Sequence, residues 1–379
     1  MNVQRKSERI PLIDVLRGFA ILGTLGTNIW IFTYLGDLTY LTTSSFSGWW
    51  SWDDLIRMFV LFLVNGKLLG LLTIMFGVGL EIKYQEALRK RRVWPGVYLW
   101  TVLFLFVEGL IHFIWVMEYD ILMSYAVTAV VVAFIVKAGD RAINRALVIV
   151  GSWHILMIML IFVSSWYGAS QVDLNMESVS GLYANGTWIE QIQNRLDHFI
   201  YYRMEAIFII PMNIFLFLVG VKLMRHHVFA SNKSGFEKRQ KLLYLGLFLG
   251  LPLNLLTFIP GGLFDIPVRY LFAPLLSLGY IGIWSWLIRF QKWNCLWRRF
   301  EDLGKMSLSS YVLQNICASM IFYGWGIGLG GKLNSLQVIT ILVMLASLQL
   351  WLAPIILERF KMGPLEWIRK RAVRAISQK

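Results

Sequence analysis

Glu108, His112 and Asp120 are three titratable side chains within the segment EGLIHFIWVMEYDILMSY, which begins inside a long apolar run and leaves it at Met117. Glu108 and His112 are four residues apart, so on a helix they share one face, which Trp115 and Tyr119 extend. Ionisable groups at membrane depth cost several kcal/mol unless paired or hydrated, and they mark functional sites by default. A histidine beside a carboxylate is suited to general-base work. The carboxylate (Glu108 or Asp120) orients the imidazole, and the imidazole takes a proton from an acceptor hydroxyl. The plainer alternative is an ion pair or hydrogen bond that locks two helices together.

The elements that position these groups follow from composition. The chain of 379 residues is 57% hydrophobic and 15% charged, with 17 Trp. A soluble chain carries nearer a quarter charged residues. The apolar residues fall in blocks of roughly 17 to 28, enough to cross a hydrocarbon core of about 30 Å as helices. The expected fold is an all-α polytopic transmembrane bundle of about ten spans, near 12–35, 54–82, 97–116, 121–136, 147–167, 199–221, 242–258, 268–288, 307–325 and 336–356. It reads as a single membrane domain over 1–379. Candidate halves are 1–221 and 242–379, separated by the basic loop 222–241, and an outer loop spans 168–198. No internal repeat supports two domains.

The net charge of +14 suggests nucleic acid until it is mapped. With the N-terminus inside, 29 Lys and Arg fall in cytoplasmic segments, two (Arg195 and Lys332) in outer ones, and five within spans. That is the positive-inside pattern. The basic charge therefore sets orientation and meets anionic headgroups, both termini are cytoplasmic, and no nucleic-acid partner is expected. Arg5, Lys6 and Arg9 before the first run imitate a signal peptide, but the run is too long and carries Asp14 and Arg17, so it reads as a retained helix. Cys295 and Cys317 have no metal or disulfide spacing.

Further polar residues lie inside the spans. Asp14, Arg17, Ile21, Thr24 and Asn28 recur at spacings of three and four, giving helix 1 a polar seam. Asp14 and Arg17 sit near enough to the inner surface to pair and snorkel; Asn28 is too deep for that. Trp49, Trp50 and Trp52 read as an interfacial belt, and Ser51 followed by Asp54 as a helix start. The second span, at about 28 residues or roughly 42 Å, must tilt or break, and Asn65-Gly66-Lys67 is the expected break. Exposed backbone N–H groups beside Lys67 suit an anion. Gly66 and Gly70 alternatively serve close packing. His154 reads as an interhelix hydrogen-bonding residue. The outer segment is acidic (Asp173, Glu177, Glu190, Asp197), with a short helix expected from Thr187. Arg203 and Glu205 open helix 6, which Pro211 should kink. Gln314 and Asn315 lie inside helix 9. The glycine-rich run 324–331 lacks the context of a phosphate loop. The tail from Glu358 is basic and amphipathic and should lie on the inner surface.

Several pieces resemble the YeiB-like family of bacterial multi-pass membrane proteins of unknown function. They are Asp14-Val-Leu-Arg17-Gly18-Phe-Ala20, Gly66-Lys67 with Phe76-Gly77-Val-Gly79, His112 with Asp120-Ile-Leu and Tyr125-Ala126, Ser307 to Tyr311 with Gln314, and Gly363-Pro364-Leu365-Glu366-Trp367. Tyr119 stands where the family pattern has glycine. The first helix is similar to that of transmembrane acyltransferases, including the heparan glucosaminide acetyltransferase, with Asp14, Arg17, Gly18, Ala20 and Asn28 in the shared pattern. That resemblance implies transfer of an acyl group from cytosolic acyl-coenzyme A, a transient donor rather than a resident cofactor, to an outer-side sugar or lipid in the bacterial inner membrane. The heparan enzyme's catalytic His precedes helix 2. Residues 36–53 contain no His here, so His112 becomes the candidate base.

Two functions of different class are expected. In an acyltransferase, His112, Glu108 and Asp120 are catalytic, while Asp14, Arg17, Asn28, Lys67, Arg203 and Gln314 bind substrate or donor and a cation steadies developing charge. In a transporter or flippase for an anionic solute or lipid, the same charges and a broken helix form the path. A third reading, a non-catalytic receptor or assembly factor, requires that His112 be dispensable. The expected partners are the lipid bilayer and a small-molecule, sugar or lipid substrate, with a homodimer among the permitted assemblies. No metal is expected.

Overall fold

The computed structural model describes residues 10–43, 51–168 and 177–377. Arg5, Lys6, Arg9, Trp49, Trp50 and Asp173 lie outside the described residues. The described chain is helical throughout, in the order α1 (Pro11–Thr33), α2 (Trp52–Val64), α3 (Lys67–Arg89), α4 (Gly96–Trp115), α5 (Leu122–Lys137), α6 (Asp140–Trp166), α7 (Glu177–Asn185), α8 (Trp188–Asp197), α9 (Phe199–Arg203), α10 (Ala206–Arg225), α11 (Lys233–Leu245), α12 (Leu251–Leu255), α13 (Asp265–Pro267), α14 (Ala273–Leu287), α15 (Asn294–Lys305), α16 (Ser307–Phe322), α17 (Ser335–Phe360) and α18 (Pro364–Ser377). Among the described residues, eight helical stretches are long and apolar enough to cross a bilayer, and α5 is a shorter apolar helix. The protein is an all-α multi-pass membrane protein. The apolar exterior fits: Val148, Trp153, Leu160 and Trp166 on α6 and Trp351 and Ile355 on α17 are exposed and face hydrocarbon rather than water.

Local sequence sets the helix ends. Pro11 opens α1, where its missing N–H costs nothing, and Asp14 complements the first turn. The Ser51 side chain accepts from Asp54 N at the start of α2. Thr187 with Glu190, and Asn334 with Gln337, form capping boxes that start α8 and α17. The second span breaks where the sequence reading placed the break: Gly66, with φ +74°, separates α2 from α3. A further interruption, at Met204–Glu205, separates α9 from α10. It lies well before Pro211, which sits inside α10, so the proline is not the breaking point of this span. A π-helical turn, Val268–Phe272, joins α13 to α14.

Small residues let the helices approach. A Cβ on Gly18 would stand 2.1 Å from Phe300 O, and one on Gly304 would stand 1.8 Å from Asp14 O. Thus α1 and α15 cross backbone to backbone. Gly77 meets the Phe217 backbone and Gly220 the Ile74 carbonyl, which seats α10 on α3. Gly79 leaves room for the Arg17 guanidinium. The helices of the two candidate halves interleave, since α1 packs on α15 and α16 and α3 packs on α14.

The bundle has two distinct ends. At one, Gly304 abuts Asp14 and Gly363 abuts Met306. There Glu366 of α18 accepts from Leu308 N at 2.8 Å and Ser309 Oγ at 2.5 Å, capping α16. The start of α1 and the start of α18 both lie at this end. At the other end, Gly331 N donates to Thr33 O, Ser335 N to Asp53 Oδ1 and Gly324 N to Tyr183 O. Glu118, Tyr183 and Arg195 fasten α7 and α8 over the α4–α5 turn there. Tyr183 Oη donates to Glu118 Oε2 at 2.7 Å, and the buried Arg195 lies 3.5 Å from the same oxygen and donates to Ile114 O. Burial, and after it the Glu118 carboxylate, holds Tyr119 and Tyr183 well above the usual tyrosine pKa, so both are neutral donors.

Candidate functional site

A partly open cavity lies toward the end opposite the termini. Its polar wall is assembled from separate elements: Asn28 of α1, Asn65-Gly66 at the first helix break, Tyr119 and Asp120 in the α4–α5 turn, and Ser124 of α5. Arg203 and Glu205 flank the second break, Arg269 comes from the π-helical turn, and Tyr311 comes from α16. Both helix interruptions therefore border one cavity. Irregular backbone at membrane depth is tolerated where it lines such a space.

From this wall a hydrogen-bonded chain runs inward. Asn28 Nδ2 donates to Asn315 Oδ1 at 3.2 Å, and Asn315 Nδ2 lies 3.2 Å from His112 Nε2. Because the amide presents its N–H side, Nε2 is the acceptor and the ring proton sits on Nδ1. Nδ1 lies 3.0 Å from Asp120 Oδ1. The approach is oblique, and neither atom makes an aligned hydrogen bond. Asp120 Oδ2 accepts from Met123 N at 3.1 Å, and the Tyr311 ring stands 5.1 Å from the imidazole. The carboxylate holds the imidazole from behind while Nε2 faces Asn315 and, beyond it, the cavity. His112 itself is buried and does not line the cavity.

The cationic side is held as firmly. Arg203 donates through Nη1 to Asp120 O at 2.9 Å and through Nη2 to Glu118 O, with its guanidinium 4.7 Å above the Phe113 ring. Arg269 Nη2 lies 3.4 Å from Glu205 Oε1, which also accepts from Tyr270 Oη.

Asn28, Asp120 and Arg203 thus meet at the cavity, with His112 one side chain behind. Glu108 does not turn to His112: its carboxylate faces Arg369 of α18 at 3.8 Å, so Asp120 is the carboxylate that holds the imidazole. Lys67 opens α3 next to Gly66 but stays off the cavity wall, its buried ammonium 5.6 Å from the Phe62 ring centroid. Gln314 bridges α1 and α17, donating to Thr24 Oγ1 and Ile21 O and accepting from Gln349. Asp14 and Arg17 pair at 3.6 Å near the terminal end, about 21 Å along α1 from Asn28. His154 Nε2 lies 3.0 Å from Tyr270 O, joining two helices. Among the described residues no cluster of metal-ligating side chains occurs.

Glu205, Arg269, Tyr311 and Asn315 were not marked as site residues from sequence. Asn315 carried the same signal as Asn28, an amide deep in an apolar span. Glu205 and Arg269 carried the signal of a charge within an apolar span and Tyr311 lay in a family motif, but only the fold brings the second break and the π-helical turn to the cavity.

Residues 223–375 match the family described as "Protein of unknown function (DUF418)". Over nearly its whole length the chain is similar to the "Uncharacterized protein YxaH" of Bacillus subtilis (strain 168), at 25% identity covering 97% of this chain and 94% of that one. It is similar to the "Uncharacterized protein YeiB" of Escherichia coli (strain K12), at 25% identity covering 97% of each. A third relative, the "Uncharacterized 39.9 kDa protein in amylase 3'region" of Bacillus acidopullulyticus, is 27% identical over 95% of this chain and 92% of its own length. The chain is therefore similar over nearly its whole length to uncharacterised bacterial proteins, YeiB among them, as its motifs imply.

Proposed function

We propose that the protein is a membrane-embedded acyltransferase-like enzyme of the bacterial inner membrane, with the cavity as its acceptor site. The observation that carries the reading is the buried His112–Asp120 pair, joined to the cavity wall through Asn315 and Asn28. In this mechanism Asp120 steadies the imidazole, and the Asn315 amide turns away when an acceptor enters. His112 Nε2 then takes the acceptor hydroxyl proton as the oxygen attacks the donor thioester. The thiolate of coenzyme A leaves and takes up that proton, so the protein returns to its starting state. Catalytic hydrogen bonds are often loose before substrate arrives, which fits the oblique 3.0 Å contact.

The test is acyl transfer by the full chain in lipid nanodiscs, using radiolabelled acetyl-coenzyme A and an extract of envelope sugars and lipids. His112→Ala should lower transfer by about 10²-fold or more, with unchanged insertion and a thermal midpoint that falls no further than in Asn315→Ala, which separates lost chemistry from lost stability. Equal transfer by His112→Ala would remove His112 from the chemistry. A second reading rests on a specific observation: the two interrupted helices both border the cavity, as in transporters that bind substrate at helix breaks. Uptake of an anion into proteoliposomes, without acyl transfer, would establish that reading instead.

A further inference from the structure

Arg203 and Arg269 both line the cavity, with the Glu205 carboxylate beside Arg269; Asp120, on the same wall, is committed to His112 and to the Met123 amide. Arg203 donates two N–H groups to main-chain carbonyls, which carry no net charge, and its buried Nε has no partner. The N-termini of α3 and α10 start at the two breaks on the cavity wall, each presenting a positive dipole end. A second buried group stands in the same wall: the Tyr311 side chain is 2% exposed and lines the cavity, and its hydroxyl has the Asn315 amide and the Ile121 main chain beside it but makes no aligned hydrogen bond to either. Unpaired donors of this kind in a buried wall are costly unless a ligand completes them.

We propose that the cavity selects a ligand bearing an oxyanion, a phosphate ester or carboxylate, held between the guanidinium groups of Arg203 and Arg269 with Tyr311 donating to it. This rests on the acceptor-site reading above and names its substrate class: an anionic hydroxyl compound rather than a neutral one. Planar guanidinium forks suit phosphate and carboxylate oxygens. The oxyanion would fix the ligand so that a hydroxyl on its other part faces Asn28 and the His112 side. The chemistry is shared by an anionic lipid headgroup and by a soluble phosphate ester.

The experiment is thermal unfolding of the full chain in nanodiscs of purely neutral phosphatidylcholine, titrated with sn-glycerol 3-phosphate, with glycerol as control. A parallel set replaces part of the lipid by phosphatidylglycerol. Saturable stabilisation by glycerol phosphate and not by glycerol supports a soluble ester. Stabilisation by phosphatidylglycerol alone supports a lipid headgroup. In either case Arg269→Gln should weaken binding about tenfold or more, and Arg269→Lys should restore part of it. Thr27→Asp, which adds a carboxylate to the cavity wall, should also abolish the shift and covers the case in which Arg269→Gln does not fold. Unchanged binding in Arg269→Gln or Thr27→Asp, or no stabilisation by either anion, overturns the proposal. Anion binding without any acyl transfer would sink the enzyme reading alone; transfer to neutral acceptors without anion binding would sink this inference alone.

Discussion

At the residue scale the site is a chain of shared hydrogen bonds, so its members are not independent. Asn28 and Asn315 share one bond, and Asn315 makes a second to His112. Removing Asn315 leaves a buried imidazole nitrogen and a half-buried amide without partners, each worth about 1–3 kcal/mol. Asn315→Ala should therefore lower the thermal midpoint measurably. The double variant Asn28→Ala/Asn315→Ala should lose less than the sum of the singles, with a coupling of about 0.5–3 kcal/mol. Strict additivity in that cycle would mean the two amides do not work as one unit. Glu108 shows how far periodicity reaches. Its spacing from His112 does put both on one helix, but a side chain four residues away can turn to whatever lies beside it. The neighbour is Arg369, brought by a helix more than two hundred residues later. A shared face was legible in the sequence; the partner was not.

At the element scale the informative features are interruptions. Asn65-Gly66-Lys67 announced the first break because the span is too long to cross unbroken without tilting and a lysine at mid-span has no packing role, and Gly66 does take φ +74°. The break at Met204–Glu205 had no such signal: neither residue disfavours a helix. The π-helical turn at Arg269 was equally silent, since its register depends on what packs against it. Gly66 is also pressed against its neighbour, with a Cβ there 2.7 Å from Arg269 O. Gly66→Ala should cost about 1–2 kcal/mol from the positive φ alone, and more from the displaced Arg269 backbone. Gly70→Ala meets only the Ser277 hydroxyl at comparable range, which can turn aside, so it should cost less. The two variants, compared by thermal midpoint and by anion binding, separate a break that shapes the cavity from a glycine that merely packs. Equal effects would mean that Gly66 is packing alone.

At the scale of the whole molecule, charge and structure make a joint prediction that neither makes alone. The sequence divides into 29 Lys and Arg in one set of connecting segments and two in the other. The structure gathers the start of α1, α15, the start of α16 and α18 at one end, and the cavity wall, α7 and α8 and the glycine-rich run toward the other. The first set is the basic one, so the positive-inside rule puts the terminal end in the cytoplasm and turns the cavity outward. The native cysteines make this measurable. Cys295 is exposed at the start of α15, at the terminal end, whereas Cys317 is half-buried within α16. In a Cys317→Ser background, a membrane-impermeant maleimide should label Cys295 only after the cells are lysed. In a Cys295→Ser/Cys317→Ser background, Lys332→Cys at the opposite end should be labelled in intact cells. The inverse pattern would place the cavity mouth in the cytoplasm, on the same side as any coenzyme A donor. His112 would then serve an internal acceptor, and transfer across the membrane would no longer be the reaction to look for.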